Sequence, residues 1–140
     1  ELWRNERWTM TQSETPLTTA TAWQEAVNAQ DEALLLLLSD PDIRIVGPRG
    51  TAQGHEVLAA WLALAGLTLE TRRTFAKGDA VVFAQRGVWR SVETDEAQGE
   101  AEVATRFVVQ NGKVTEIARF DALDEALSHA GVSGSDEVPG

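Results

Sequence analysis

Residues 67–121 read LTLETRRTFAKGDAVVFAQRGVWRSVETDEAQGEAEVATRFVVQNGKVTEIARFD, and their pattern sets the architecture of the chain. From Leu67 onward polar and apolar residues alternate, and a period of two residues is typical of a β-strand with one buried face. The pairs Gly78-Asp79 and Asn111-Gly112 favour tight turns between antiparallel strands. The strands predicted in this stretch cover residues 67–75, 80–92, 101–109 and 114–121.

Two parts of this stretch depart from plain alternation. Residues 80–92 are mostly apolar on both faces, which predicts a central strand that is covered on both sides. Residues 93–100, ETDEAQGE, are acidic and predict a solvated hairpin loop. Together the strands predict a long antiparallel meander.

Two helices are predicted at the start of the preceding segment. Thr21, with Gln24 three residues later, resembles a capping box and predicts the beginning of the first helix. Asp31-Glu32 predicts the beginning of a second, short helix that Asp40-Pro41 ends. The apolar stripe predicted for this second helix consists of Leu34, Leu37 and Leu38.

A strand and a third helix follow before residue 67. The β-branched run 43–46 predicts a short strand, which the Gly-Pro-Arg-Gly sequence of residues 47–50 closes as a turn. Apolar residues at helical spacing predict a helix over residues 54–65, and Gly66 stands at its stop position.

One more helix is predicted after the meander, capped by Asp121 or Asp124 and ended by Gly131. Helices that precede a run of strands predict an α+β fold, with the helices on one face of a curved sheet. We predict a single domain over residues 21–131. Residues 1–20 are predicted to be an N-terminal arm or linker, and residues 132–140 a flexible tail.

Composition excludes several classes of function. The 140 residues suit one domain with a sizeable core, and the absence of cysteine excludes disulfides, thiolate metal sites and a cysteine nucleophile. With 12 basic and 22 acidic side chains, the formal charge is -10. This charge repels phosphate backbones and anionic lipid surfaces, so we predict neither a nucleic-acid partner nor a membrane partner.

No targeting or membrane-spanning segment is predicted. The longest apolar run, residues 34–38, is far shorter than the roughly 20 residues that a transmembrane helix needs. Residues 1–8, ELWRNERW, are charged and lack the apolar stretch of a signal peptide. We therefore predict a cytoplasmic protein.

The order of these elements and several local motifs resemble the nuclear transport factor 2-like superfamily, including its SnoaL-like and ketosteroid isomerase-like members. The resemblance covers about residues 21–121. The motifs that carry it are Trp23 followed by Asp31-Glu32-Ala33-Leu34, then Gly54-His55-Glu56, Lys77-Gly78-Asp79 before a valine-rich strand, and Asn111-Gly112-Lys113-Val114 before Ala118-Arg119-Phe120-Asp121.

This resemblance implies a cone-shaped α+β barrel, in which a curved antiparallel sheet wraps on the N-terminal helices and encloses a pocket, with one short C-terminal helix. It also implies a homodimer packed through the sheet. The superfamily includes ketosteroid isomerases, limonene epoxide hydrolases, SnoaL-like polyketide cyclases and members without an assigned reaction, so the fold does not settle the function.

The residue sets of two of these chemistries are not present. Ketosteroid isomerisation uses a tyrosine and a carboxylate base, whereas this chain has no tyrosine and carries Ile45-Val46-Gly47 where the resemblance places the base. The positions that resemble the epoxide hydrolase set read Arg86-Gly87-Val88 and Arg119, which retains one arginine and neither carboxylate.

If the superfamily register holds, three strands direct a set of side chains into the cone. The candidate ligand-binding residues on these strands are Arg86, Val88, Thr105, Phe107, Ile117, Arg119 and Asp121. Arg90 and Val103 share the same predicted faces. A small-molecule ligand is the partner that such a pocket predicts.

Inward arginines have three possible explanations. Arg86 and Arg119 could form a satisfied ion-pair network with Asp121, since buried charges are normally paired. A guanidinium could instead remain free to bind a carboxylate or another anionic group of a ligand. In the third case the register is off by one residue, and both arginines face outward.

Other candidates have a structural and a functional reading. His55, at a helix entry, could be a local cap, a solvated side chain or a catalytic group, and we include it among the candidate site residues. Trp61 is expected in the core, and Trp89 could serve packing, a dimer interface or an aromatic wall for a ligand. Two distant histidines and no clustered carboxylates predict no metal site, and no glycine-rich phosphate motif predicts a cofactor.

Three functional hypotheses follow. The first is a protein that binds a largely apolar organic ligand with one anionic or carbonyl end. The second is a cyclase, isomerase or hydrolase that uses Asp121 with Arg119, or His55, for proton transfer. The third is a non-catalytic dimerisation module whose cavity is filled by its own side chains. An open cavity with an unpaired arginine would favour the first hypothesis, and a filled cone the third.

Overall fold

Seven strands form one mixed sheet in the computed structural model, which describes residues 15–47, 50–90, 94 and 96–138. The strands are β1 (Ser39–Gly47), β2 (Gly50–Gln53), β3 (Leu67–Lys77), β4 (Ala80–Arg90), β5 (Ala97–Gln110), β6 (Lys113–Phe120) and β7 (Glu137–Val138). The order across the sheet is β2-β1-β6-β5-β4-β3-β7. The helices are α1 (Pro16–Ala29), α2 (Glu32–Leu37), α3 (His55–Ala65) and α4 (Leu123–Ala130).

Helix α1 begins five residues before the predicted start at Thr21, so the boundary of the N-terminal arm at residue 20 is corrected. The Thr15 side chain accepts a hydrogen bond from the Thr18 N–H at 3.1 Å, and Pro16 occupies the first turn. Proline at this position is compatible with a helix because the first N–H groups lack intrahelical partners anyway. Gln24, read as part of a capping box, is instead buried against the sheet. Residues 1–14 of the predicted arm lie outside the described residues.

Helix α2 buries a different leucine from those predicted. The Asp31 side chain accepts a hydrogen bond from the Leu34 N–H at 3.1 Å and caps the helix as expected. Leu35 is fully buried, whereas Leu34 and Leu37 are 37% and 66% exposed. The predicted stripe was therefore wrong for Leu34 and Leu37, whereas Leu38 packs against the main core.

The first part of the sheet was only partly predicted. Strand β1 contains the predicted run 43–46, and it pairs with β2, which the sequence pattern did not predict. On its other side β1 runs parallel to β6, with Ile45 opposite Ile117. The prediction of a wholly antiparallel sheet is corrected here. A tight hairpin enforces antiparallel pairing, whereas β1 and β6 are connected through α3 and the whole meander.

The meander agrees with the predicted turns. Gly78 lies between β3 and β4 with φ 59°, and Asn111 and Gly112 connect β5 to β6 with φ 55° and 75°. These left-handed conformations are those that a two-residue hairpin turn requires. Strand β5 begins at Ala97, inside the predicted loop 93–100, while residues 91–93 and 95 lie outside the described residues.

The main core lies between helices α1–α3 and the inner face of the sheet. The Trp23 and Phe107 ring centroids are 5.6 Å apart in an edge-to-face arrangement, and those of Phe83 and Phe107 are 5.2 Å apart. Leu58 and Leu62 from α3 complete this layer, and Gly66 ends the helix with φ 54°, at the predicted stop position. Hence α3 and its stop signal are confirmed.

A second, smaller core lies on the outer face of the sheet under α4. Ala126 of α4 is fully buried with Phe75 and Val82 of the sheet. The cap residue of α4 is Ala122, and neither Asp121 nor Asp124 supplies the predicted side-chain cap. Both faces of the sheet thus carry helices, rather than one face alone.

The predicted flexible tail is ordered as far as residue 138. Val132 is buried in the second core, Gly134–Asp136 forms a 3₁₀ turn, and β7 pairs with β3. The Arg73 guanidinium donates two hydrogen bonds to the Glu137 carboxylate, at 2.9 and 3.0 Å. Buried apolar contact and this ion pair explain why the small, polar residues near the C-terminus are held.

The α+β class with a cone-like curved sheet on N-terminal helices is confirmed. The sheet is open rather than a closed barrel, since its two edge strands, β2 and β7, are not paired with each other. None of the helices in the described ranges has the length and apolar character that crossing a bilayer would need.

Candidate functional site

A pocket of about 750 Å³ lies between the inner face of the sheet and helices α1 and α3. Its apolar wall on the sheet side consists of Leu67, Leu69, Val103, Phe107 and Ile117. The helices contribute Trp23, Val57, Leu58 and Trp61, while β1 and β2 form another side through residues 45–47 and 50–52. Among the described residues, no side chain fills this cavity.

Tryptophans from three elements line the pocket. Trp23 and Trp61 stack with their ring centroids 6.3 Å apart, and the Trp23 indole N–H donates to Ser39 Oγ at 2.9 Å. The third, Trp89, comes from β4. Hence Trp61 is both a core residue and a pocket residue, and Trp89 occupies the position of an aromatic wall.

Arg119 is the charged side chain among the described residues that line the pocket. Its guanidinium carbon lies 5.7 Å from the centroid of the Trp89 ring, a distance suited to a cation–π interaction. Its Nε is buried without a hydrogen-bond partner. Within the described part of the chain no carboxylate pairs with it. At its Nε, the guanidinium thus has a hydrogen-bond donor that the described residues leave unused.

The second polar position on the sheet wall is Thr105, which lies directly opposite Arg119 on the neighbouring strand. The Thr105 hydroxyl donates to Gln85 Oε1 at 2.7 Å. Gln85 is almost completely buried and donates through its amide nitrogen to Gln24 Oε1. Thr105 is consequently held in place by side chains behind the pocket wall.

Strands β5 and β6 direct the predicted residues inward, and β4 does not. Thr105, Phe107, Ile117 and Arg119 line the pocket as the alternation predicts, and their role in ligand binding stays a prediction. On β4 the predicted register was one residue off, so that Arg86 and Val88 do not line the pocket.

The side chain of Arg86 lies on the outer face, where it forms an ion pair with Glu100. This guanidinium lowers the pKa of the Glu100 carboxyl, and the carboxylate in turn raises the pKa of Arg86. The inner face of β4 carries Gly87 instead of Arg86. A Cβ at residue 87 would point toward the pocket, 3.3 Å from Trp89 Cη2 and 3.4 Å from Leu67 Cδ1. None of the three explanations therefore holds for both arginines. Arg86 faces outward and is paired with Glu100, whereas Arg119 faces the pocket and has no carboxylate partner among the described residues.

Neither side chain considered for proton transfer reaches the pocket. Asp121 is exposed just beyond the end of β6, where the strand alternation that would direct it inward has stopped. His55 Nε2 lies 3.0 Å from the Ser39 carbonyl oxygen at the entry of α3, which matches the reading of a local structural contact. The prediction that Asp121 and His55 belong to the pocket was wrong.

Some features of the site were not predicted from the sequence. Strand β2, which carries Thr51 at the pocket, has a sequence of small residues without a strand signal. Gln85 lies on a strand that is apolar on both faces, so the sequence pattern gave no signal for its inward orientation. Among the described residues, no group of three or more His, Asp or Glu side chains is placed to hold a metal ion.

Comparisons with known proteins agree with this architecture. The family model for the SnoaL-like domain matches residues 20–117. A nuclear transport factor 2-like protein of unknown function from Cytophaga hutchinsonii has a TM-score of 0.67 at 12% identity, over 79% of this chain and 93% of that one. The sequence has no significant match among curated proteins.

Two further structures share the fold at low identity. TerC, co-crystallised with polyporic acid, has a TM-score of 0.66 at 20% identity, over 82% of this chain and 96% of that one. A candidate SnoaL-like polyketide cyclase from Jannaschia sp. CCS1 has a TM-score of 0.66 at 17% identity, over 89% and 96% of the two chains. Likeness at this identity extends to the fold alone. With its family model matched over residues 20–117, the chain belongs to the SnoaL-like domain family.

Proposed function

We propose that this chain is a small-molecule binding protein, whose pocket holds a largely apolar organic ligand with one anionic or carbonyl end. The observation that carries the proposal is Arg119, a guanidinium in an apolar pocket with a buried Nε that has no partner. Arg119 is half-buried, and burying its Nε–H donor is costly unless an acceptor replaces the lost hydration. A ligand oxygen at this position would supply that acceptor.

The chemistry of the guanidinium favours a planar oxygen group. Arginine presents several N–H donors in a fixed fork, which matches the two oxygens of a carboxylate. A single carbonyl oxygen would use part of this fork. We therefore expect carboxylates to bind more tightly than carbonyl compounds, and both more tightly than alcohols of the same shape.

The rest of the pocket favours an apolar, aromatic or polycyclic body. Its volume of about 750 Å³ is within the range of cavities that hold drug-sized ligands, and its walls are mainly aliphatic and aromatic. Trp61 and Trp89 offer flat surfaces on which a ring system can stack. The co-crystallisation of TerC, which has the same fold, with polyporic acid supports an organic acid as the class.

Binding accounts for this geometry better than the two other hypotheses. The enzyme hypothesis relied on Asp121 or His55, which lie outside the pocket. The hypothesis of a non-catalytic module required a cone filled by side chains, and the cavity is open.

The partner and location predictions accompany this proposal. A homodimer packed through the sheet, whose outer face is the face away from the pocket, is proposed on the family resemblance. Helix α4 covers part of that face, and the ion pair of Arg44 with Glu116 lies on the part beyond it. A cytoplasmic location stays a proposal, and the absence of nucleic-acid and membrane partners is proposed on the net charge of -10.

The test is a thermal-shift screen of hydrophobic carboxylates, each paired with its primary alcohol. At about 100 times its dissociation constant, a bound acid should stabilise the native protein by roughly 2.7 kcal/mol. Arg119→Met keeps an apolar stem and removes the cation, so it should abolish the preference for acid over alcohol. Arg86→Met, a matched loss of an arginine on the outer face, should keep that preference. Equal shifts for the native protein and Arg119→Met would remove Arg119 from ligand binding and overturn the proposal.

A further inference from the structure

Four polar side chains form a hydrogen-bonded chain that runs from α1 and β3 through the core to the pocket wall. Gln24 Nε2 donates to Thr71 Oγ1 at 2.7 Å, Gln85 Nε2 donates to Gln24 Oε1, and the Thr105 hydroxyl donates to Gln85 Oε1 at 2.7 Å. Gln24, Gln85 and Thr105 are all buried, with Gln85 only 1% exposed. We call these four residues the polar chain.

The polar chain has a direction. Each amide donates through its nitrogen toward Thr71 and accepts through its oxygen from the side of Thr105. Bonds aligned in this way polarise one another and strengthen the alignment. The opposite direction would require both buried amides to turn over together.

The direction fixes what Thr105 offers to the pocket. A hydroxyl has one proton to donate and two lone pairs that accept. The proton of Thr105 is committed to Gln85 Oε1, so the group presented to a ligand is an acceptor. Arg119 on the neighbouring strand is the opposite case, because a guanidinium only donates.

We infer that the ligand carries a hydroxyl or N–H donor beside its anionic or carbonyl oxygen, with the donor on Thr105 and the oxygen on Arg119. This inference rests on the proposed function and names a substituent of its ligand. Thr105 and Arg119 are directly opposed across β5 and β6, and side chains in such pairs have Cβ atoms about 5 Å apart. Because both side chains start from one cross-strand pair, the simplest such ligand has its two groups only a few bonds apart, as in a β-hydroxy acid.

The probes that test it are three acids with one apolar body: 3-(2-naphthyl)propanoate, its 3-hydroxy derivative and its 3-methoxy derivative, the last two as single enantiomers. The hydroxyl can donate and accept, whereas the methoxy oxygen can only accept. Calorimetry on the native protein should give the better hydroxy enantiomer a dissociation constant about tenfold below that of the matching methoxy compound. The ratio of these two constants is the readout.

Variants of the polar chain should change this ratio. Thr105→Val removes the acceptor and should bring the ratio close to that expected from size alone, and Thr105→Ser should restore the preference. Gln85→Met leaves the Thr105 proton without its acceptor, so that Thr105 can donate to the methoxy oxygen and the ratio should fall. Each ratio is measured within one variant, so a general loss of stability does not imitate the effect.

The outcomes separate this inference from the proposed function. Binding that depends on Arg119 without a preference for the hydroxy acid would overturn the inference and leave the proposed function standing. A preference for the methoxy acid that Thr105→Val abolishes would mean that the polar chain runs the other way, which also overturns it. If none of the three acids binds, the proposed function fails, and the inference fails with it.

Discussion

The pairing of Arg119 with Trp89 gives the pocket its chemical character. The indole face attracts the guanidinium, and its apolar body replaces the water that would otherwise surround the cation. Trp89 can occupy this position because Gly87, two residues earlier on the same strand face, has no side chain. The absence of a Cβ at residue 87 is therefore part of the site.

A side chain at residue 87 should displace Trp89. Gly87→Val would place atoms within about 3.3 Å of Trp89 Cη2 before any relaxation, and overpacking of this kind costs roughly 1–3 kcal/mol. We expect a lower melting temperature and weaker binding of hydrophobic carboxylates, with a shift in tryptophan fluorescence. The control is Gly99→Val on the neighbouring strand, where a Cβ has nothing within 4 Å. Equal effects of the two substitutions would contradict this account.

Alternation predicted the orientation of Arg119 but not that of Arg86. In strand β6, alternating residue types distinguish an inner from an outer face. Once one side chain is assigned to a face, the orientations of the others follow. Strand β4 is apolar on both sides, because α4 covers its outer face while the main core covers its inner face. When both faces of a strand are apolar, the sequence does not show which residues face inward. A prediction that is shifted by one residue then assigns every side chain to the wrong face.

Helix α1 begins at Pro16, after the Thr15 cap, rather than at the capping box predicted for Thr21 and Gln24. Thr15 accepts from the Thr18 N–H, and Pro16 has the φ that a first turn requires. Thr21 lies inside the helix, where its side chain satisfies no terminal N–H. Thr15 therefore stabilises the start of α1 as a cap, whereas Thr21, six residues later, does not.

Alanine at these two threonines should separate their roles. Thr15→Ala removes the cap and should lower the free energy of unfolding by about 1 kcal/mol, measured by denaturant titration. Thr21→Ala places a better helix former in the helix and should leave stability unchanged or slightly higher. A loss at Thr21 that equals the loss at Thr15 would support the capping box that the sequence suggested.

Elements with strong local signals were predicted, and those that depend on distant partners were not. The turn at Asn111-Gly112 and the end of α3 at Gly66 follow from residues that adopt positive φ readily. The parallel pairing of β1 with β6 depends on contacts between segments about 70 residues apart. Strand β2 depends on its pairing with β1, since four residues without an apolar face give no period to detect.

Carboxylates outnumber cations across the molecule. For two of the glutamates, Glu100 and Glu137, an ion pair with an arginine lowers the pKa of the carboxyl. Arg86 holds the pKa of Glu100 below its ordinary value, and Arg73 does the same for Glu137. The hydrogen bond to the guanidinium is the largest cause in both cases. A carboxyl whose pKa is lowered on folding contributes stability above its unfolded pKa, and this contribution is lost as the pH falls through the lowered value.

Acid should therefore weaken the attachment of the C-terminal segment. The contribution of Glu137 should be complete above about pH 4.3, the ordinary pKa of glutamate, and should disappear as the pH falls further. Glu137→Gln should lower the melting temperature at neutral pH and make its decline in acid shallower. Glu125→Gln, at an exposed site on α4, is the control and should keep the native slope. Parallel melting curves for Glu137→Gln and the native protein across this range would contradict the assignment.

The side of β3 that faces away from β4 is covered at two places by two unrelated means. Near its start, Asn28 of α1 donates to the Leu69 carbonyl at 2.9 Å and accepts from the Leu69 N–H at 2.8 Å, as a neighbouring strand would. Farther along, β7 pairs with Thr74 and Phe75. An uncovered strand of eleven residues is a template on which other chains can add and aggregate. One amide side chain and the two residues of β7 thus hinder the addition of another chain along this side of β3.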